Sequence, residues 1–390
     1  MYSEVEIRFN KLKAYCEKEQ FKGWDPYDGL NSKLFQSTML SKSRFFRLAW
    51  IQFFKRSPIN FRAAFKVLKD YNAKGVGLFL NGYCNLYKLD PQEEYLDRIF
   101  ELADLCLKLK QDSYSGACWG YNFDWQARAF FQPKNTPTVV ATSFVASALM
   151  DAFEITQCTR YLETAIDSKG FILSDLNRTF DANGNFSFSY SPLDHTQVFN
   201  ASLLASRLLS QIYAYTKDST LLEAARRSVS FCCDRQHDDG SWSYGTLPFH
   251  HWIDNFHTGY NLECISTYQN ISHDLSFSHN LEKGLKYYLT NFFTDEGIPK
   301  YYNNQVYPID VHASSQLILT LSKLGIWKEH TKLLNNVLNW TVENMQDESG
   351  YFYYQLKKSF NSRIPYMRWG QAWMFYSLST YLLEESKRGS

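Results

Sequence analysis

The sequence predicts an all-α fold, an (α/α)6 toroid of about six helical hairpins with short β-hairpins at one rim. Three observations predict it: a turn that recurs at near-constant spacing, an apolar helical stretch after each turn, and a charged amphipathic stretch before the next.

The turns are DANGNFSFSY, DDGSWSYG, DEGIPKYY and DESGYFYY, each with an acidic residue, a glycine and an aromatic cluster. Their glycines, Gly184, Gly240, Gly297 and Gly350, are separated by 56, 57 and 53 residues. A less regular copy, SGACWGYNFDW, surrounds Gly116, and DPYDGL around Gly29 reads as a degenerate first one, which makes about six units. Small, mostly apolar stretches such as TVVATSFVASALMDAFEIT and TQVFNASLLASRLLSQIYAYT read as helices buried on most sides. LLEAARRSVSFCCDRQ and TKLLNNVLNWTVENM read as helices with one solvent face. YFYYQL and FSFSY have strand character and form the rim hairpins. Residues 1–390 read as one domain, with a first hairpin, about 1–110, less regular than the rest.

Composition narrows the function. The 390 residues hold 41 Lys and Arg against 40 Asp and Glu, a net charge of +1, so nucleic acid is not an expected partner. No apolar run approaches the roughly 20 residues of a membrane span, so no membrane insertion is expected. The opening MYSEVEIRFNKLKAYCEKEQ has no apolar signal region, and the expectation is a cytoplasmic protein. The eight cysteines form no CxxC pair and read as buried thiols. His250 and His251 with Asp254 lack further spaced ligands, and neither a metal nor a cofactor is expected.

Polar residues recur at the helix starts. SPLDHTQVF, DNFHTGYNL and PIDVHASSQ align with His195, His257 and His312 in one column, beside Asp194, Asp254 and Asp310. Imidazoles at the mouth of a toroid supply acids and bases near working pH. Aromatic residues in turns and loops, Trp119, Tyr121, Trp125, Trp242, Tyr244, Trp252, Tyr302 and Trp369, suit the apolar faces of sugar rings. Trp242, in RQHDDGSW, is also an architectural residue: that segment is similar to the QxxDGSW repeats of terpene cyclases and other α-toroids, where the glycine makes a tight turn and the tryptophan packs on a helix end.

Over most of its length the chain resembles the six-hairpin toroids of carbohydrate-active proteins: unsaturated glucuronyl hydrolases, N-acylglucosamine 2-epimerases and polysaccharide lyases. WGYNFDWQARAFF, NTPTVVATSFVASALMDAFE and YPIDVHASSQ resemble a bacterial family found among capsule and exopolysaccharide biosynthesis proteins. That resemblance implies a surface-polysaccharide pathway and other proteins of that pathway as partners. His257, Gly259 and Glu263 keep the spacing of the HPGHxxE stretch of the 2-epimerases, with Tyr260 in place of its second histidine. DNFHTGYNL also resembles the Tyr-His-Thr segment of uronyl C5-epimerases.

The expected function is therefore a glycan-directed enzyme using general acid/base chemistry, a glycoside hydrolase or lyase on a uronate- or amino-sugar-containing oligosaccharide or polysaccharide. Epimerisation and non-catalytic glycan binding are the alternatives. Hydrolysis would draw its carboxylates from Asp124, Asp194, Asp254 and Asp310. Elimination or epimerisation would draw its acid and base from His195, His257, His312 and Tyr260, with Arg368 or Arg128 stabilising the developing enolate.

Overall fold

The computed structural model describes residues 2–128 and 130–389. Its helices are α1 (Tyr2–Lys18), α2 (Lys33–Gln36), α3 (Arg44–Arg56), α4 (Ala73–Leu89), α5 (Glu93–Lys108), α6 (Val139–Thr156), α7 (Thr159–Gly170), α8 (Phe199–Thr216), α9 (Ser219–Cys233), α10 (Asn255–Ser272), α11 (Ser278–Asn291), α12 (Val311–Lys323), α13 (Thr331–Met345) and α14 (Ala372–Gly389). Short strands pair in three antiparallel sheets. β1 (Trp125–Gln126) pairs with β2 (Phe131–Gln132), and β3 (Arg178–Phe180) with β4 (Phe186–Phe188). β5 (Ile309–Asp310), β6 (Gln355–Leu356) and β7 (Asn361–Ser362) form the third sheet in that order.

The apolar helices α4, α6, α8, α10, α12 and α14 pack side by side, and α14 returns to α4, closing an inner ring. Each carries an outer partner: α5, α7, α9, α11, α13 and, for α14, the N-terminal α1. This is the (α/α)6 toroid the repeat predicts. The irregularity of the first 110 residues has a physical reason. Helix α1 pairs with the last inner helix rather than the next one, and residues 19–72 are a strap between α1 and α4 that carries α2 and α3. Glycines let the inner helices approach: a Cβ on Gly82 of α4 would lie 2.4 Å from the Phe375 ring of α14. Helix α6 is the one helix among the described residues long and apolar enough to cross a membrane, and 67% of that window is buried between its neighbours in the ring.

The repeated glycine turns join successive outer helices. Gly240, Gly297 and Gly350 have φ of +93°, +85° and +103°, which a side chain adopts only with strain. A Cβ would meet Lys283 O of α11 at 2.4 Å from Gly240, Asn336 O of α13 at 2.5 Å from Gly297, and Lys11 O of α1 at 2.3 Å from Gly350. Gln346 Nε2 donates to Gly350 O and to Arg8 O, as Gln236 Nε2 donates to Gly240 O and to Asn280 O. The last turn therefore seals the ring by holding α1. Gly350→Ala is expected to cost roughly 2 to 4 kcal/mol in denaturant unfolding, because it adds both backbone strain and a clash with a carbonyl.

Candidate active site

The register of the inner ring defines the site. The second residue of each inner helix lines one cleft: Lys74 of α4, Val140 of α6, Asn200 of α8, Phe256 of α10 and His312 of α12. Arg368, in the turn of helix that leads into α14, completes the set. The cleft has a volume of about 630 Å³. Caps hold this register: Asn72, Thr138, Asp254 and Asp310 each accept a backbone N–H of the helix they start. Six inner-ring starts thus surround the cleft, and their partial positive charges favour an anionic occupant.

Three histidines line the cleft, His250, His257 and His312, and the last two differ in their partners. His257 Nδ1 is 2.7 Å from Asp254 Oδ2, which is buried and also accepts Trp252 Nε1 at 2.9 Å. A carboxylate at Nδ1 keeps the proton on that nitrogen, so Nε2 is the basic lone pair. Nε2 has no hydrogen bond among the described residues. His312 is 2% exposed, and its Nε2 lies 2.9 Å from Tyr260 Oη. Burial first, then Lys74, His257 and Arg368, push its pKa well below the usual value, so this imidazole is neutral. Tyr260 sits between them, its ring centroid 5.8 Å from each imidazole. Burial, followed by the Glu263 charge, raises the pKa of its phenol, which stays protonated.

Lys74 sits among rings, its Nζ 4.3 Å from the Phe144 centroid, 5.0 Å from Trp373 and 5.4 Å from Tyr260. No carboxylate pairs with it among the described residues. Burial, then Arg368 and Arg207, hold its pKa well below the ordinary ammonium value. Arg368 takes the opposite course, because Asp25 grips its fork through Nε at 2.6 Å and NH2 at 2.9 Å. Three polar atoms of lining residues, Asn200 Oδ1, His250 Nδ1 and His312 Nδ1, are buried without a partner among the described residues and can meet a ligand's hydroxyls. Tyr244 and Trp252, stacked at 4.5 Å, form an aromatic wall.

The structure brings together His257, His312 and Tyr260 with Tyr121, Trp125, Arg128, Tyr244, Trp252, Tyr302, Arg368 and Trp369, all of which line the cleft. The remaining candidates lie elsewhere. His195 is exposed and four residues ahead of α8, and His257 is the third residue of α10 whereas His312 is the second of α12, so the three-histidine column does not hold. Both His257 and His312 still line the cleft, and Asn200 takes the His312 position in α8. Asp194 does not cap the helix; Ser191 and Thr196 consume its carboxylate within the loop. Asp124 accepts Lys134 N at 2.7 Å and shapes the β1–β2 region. Asp254 and Asp310 stand behind the cleft as caps. Asp310 also accepts Gln355 and Trp369, and burial raises its carboxyl to about 6. Trp119 and Trp242 are buried, bonded through Nε1 to Cys106 O and Cys232 O. Glu263 is enclosed deeper in the ring with Gln316 and Thr320, and burial raises its pKa. Lys74, Asn200 and Asp25 are cleft or supporting residues that the histidine alignment missed.

No protein-family model matches the chain, and no curated protein sequence does either. Solved structures do. A cellobiose 2-epimerase from Bacillus thermoamylovorans superposes with TM-score 0.64 at 12% identity, over 81% of this chain and 88% of that one. A family 76 α-mannanase from Bacteroides thetaiotaomicron gives 0.64 at 15% identity, over 82% and 88%. An unsaturated glucuronyl hydrolase specific for heparin gives 0.59 at 11%, over 81% and 86%. At such identities the likeness is one of fold: these proteins share the toroid.

Proposed function

We propose that the protein is a carbohydrate-active enzyme that moves protons at carbon on an acidic sugar, by eliminating across or epimerising a uronate unit of a glycan. One observation carries the reading: the cleft is lined by Lys55, Arg56, Lys74, Arg128 and Arg368 and by three histidines, and by no Asp or Glu among the described residues. Glycoside hydrolysis asks for two carboxylates about 5 to 9.5 Å apart across the bond. A cleft of cations, imidazoles and helix starts instead receives a carboxylate and stabilises the enolate that forms when its neighbouring carbon loses a proton.

The roles follow from the geometry. His257 Nε2, fixed by Asp254, takes the proton from carbon. The Tyr260 hydroxyl, bonded to neutral His312, returns a proton, either to the leaving oxygen in elimination or to the opposite face of the carbon in epimerisation. Arg368, held by Asp25, and Lys74 face the developing negative charge. Lys74, its pKa lowered by burial and by Arg368 and Arg207, gains the counter-ion it lacks when the carboxylate arrives. The sugar-directed names of the structural neighbours, an epimerase and a glucuronyl hydrolase among them, support a sugar substrate. The resemblance to capsule and exopolysaccharide biosynthesis proteins supports a surface polysaccharide as its source.

The test compares a uronate-containing polysaccharide with the same polymer after chemical reduction of its carboxyl groups. Turnover is expected on the first and at least about 100-fold less on the second, because the reduced unit can neither acidify its carbon nor meet the cations. Equal turnover on both would refute the reading.

A further inference from the structure

The chain's balanced charge hides a strong local asymmetry. Residues 29–69, within the strap, hold nine Lys or Arg and no Asp or Glu. Taking those nine from the chain's 41 leaves 32 basic against 40 acidic residues elsewhere, a net charge of −8 on the rest. The same 41 residues carry eight of the 18 large apolar side chains that stand exposed among the described residues. In α3, Phe45, Ala49 and Phe53 recur at helical spacing on a solvent-facing stripe, with Phe46 beside it. Met39, 77% exposed, precedes them, and Phe45 is 72% exposed. Lys42, Arg44 and Arg56 are exposed around this stripe. The strap is nevertheless firmly seated: Arg62, fully buried, bonds Asp28, Tyr366 Oη and Asp25 O, and Phe35, Ile51 and Leu30 form a small core beneath.

We propose that residues 29–69 form a docking surface for an anionic lipid bilayer, with Met39, Phe45 and Phe53 entering the headgroup boundary and the surrounding cations meeting lipid phosphates. Exposed apolar side chains framed by the exposed cations Lys42, Arg44 and Arg56 complement that surface in both chemistry and charge. A second copy of the chain is a poor occupant, since a two-fold contact would face the same cationic patch against itself. The cleft lies on the adjoining face of the same helix, where Leu48, Gln52 and Lys55 line it. On the functional reading above, docking holds the cleft beside a glycan attached to a membrane lipid.

Co-sedimentation of the full chain with vesicles tests the docking without any substrate, so it stands or fails separately from the chemistry of the cleft. Binding is expected to phosphatidylcholine vesicles containing phosphatidylglycerol, and not to pure phosphatidylcholine, and it is expected to weaken steeply with salt. Met39→Ser with Phe45→Ser is expected to weaken it roughly tenfold with an unchanged melting temperature, since both side chains are exposed. Lys42→Glu is expected to weaken it as well. No binding, equal binding to both vesicle types, or an unaffected double variant would overturn the proposal. So would a dimer in sedimentation that the double variant dissociates, since the stripe would then be a contact between copies.

Discussion

His257→Gln is expected to lower kcat by roughly 100- to 10,000-fold, the range for losing a positioned acid or base, and His312→Gln is expected to lower it too, by removing the partner that orients the Tyr260 hydroxyl. The two effects are expected to be less than additive, because the groups act on one proton-transfer sequence. The positioning group Asp254 and the acid Tyr260 are predicted to behave differently. Asp254→Asn cannot hold the proton on His257 Nδ1, where the two atoms are 2.7 Å apart, so kcat falls while KM holds. Tyr260→Phe removes the hydroxyl 2.9 Å from His312 Nε2 and loses turnover with the fold intact. A melting temperature beside each rate distinguishes chemistry from folding. Asparagine caps a helix as well as aspartate does, so no large loss of stability is expected from the cap in the Asp254→Asn variant, and none is expected for His257→Gln.

Lys74→Met is the second large effect, and its two halves have opposite signs. Turnover is expected to fall by at least about 100-fold, because the cation facing the enolate is gone. Stability at pH 7 is expected to rise by about 1 to 3 kcal/mol, because an unpaired amine enclosed by Phe144, Tyr260 and Trp373 is replaced by an apolar chain of similar length. The pH dependence follows from linkage. The folded-state pKa of Lys74 lies well below its ordinary 10.5, so between those values the unfolded chain binds a proton that the folded chain lacks. Stability of the natural chain therefore rises with pH through that interval and is lost as pH falls. The advantage of Lys74→Met is expected to be largest at the acidic end and to shrink toward pH 10.5. Thermal unfolding of both chains across this range checks it. A stabilising substitution that abolishes activity marks a residue kept for function.

Much of the architecture was legible because glycine turns leave a periodic mark. Gly240, Gly297 and Gly350 are forced by positive φ and by carbonyls of the next outer helix, so the repeat in sequence is the repeat in space. Ring closure was not legible, since nothing local in α1 shows that it packs on α14. The cleft was half legible. His257 and His312 follow true caps, whereas the similar Asp-His pair at 194 and 195 closes a loop before α8 begins; the two patterns differ by only a few residues. Asp254 and Asp310 read equally well as caps or catalytic acids, and only burial behind His257 and Trp369 separates these roles. Lys74 escaped notice because Ala-Lys-Gly-Val-Gly looks like the start of an ordinary core helix, and its meaning comes from rings supplied by α6, α10 and α14.

The central claim is that this cleft moves protons at carbon rather than adding water across a glycosidic bond. Incubating the protein with a uronate-containing oligosaccharide in deuterated water carrying labelled oxygen, and reading the products by mass, tests it most directly. The account predicts either deuterium on a carbon of an uncleaved sugar or an unsaturated product that has taken up no solvent oxygen. A saturated product carrying solvent oxygen at the cleaved position, with no deuterium on carbon, would contradict it.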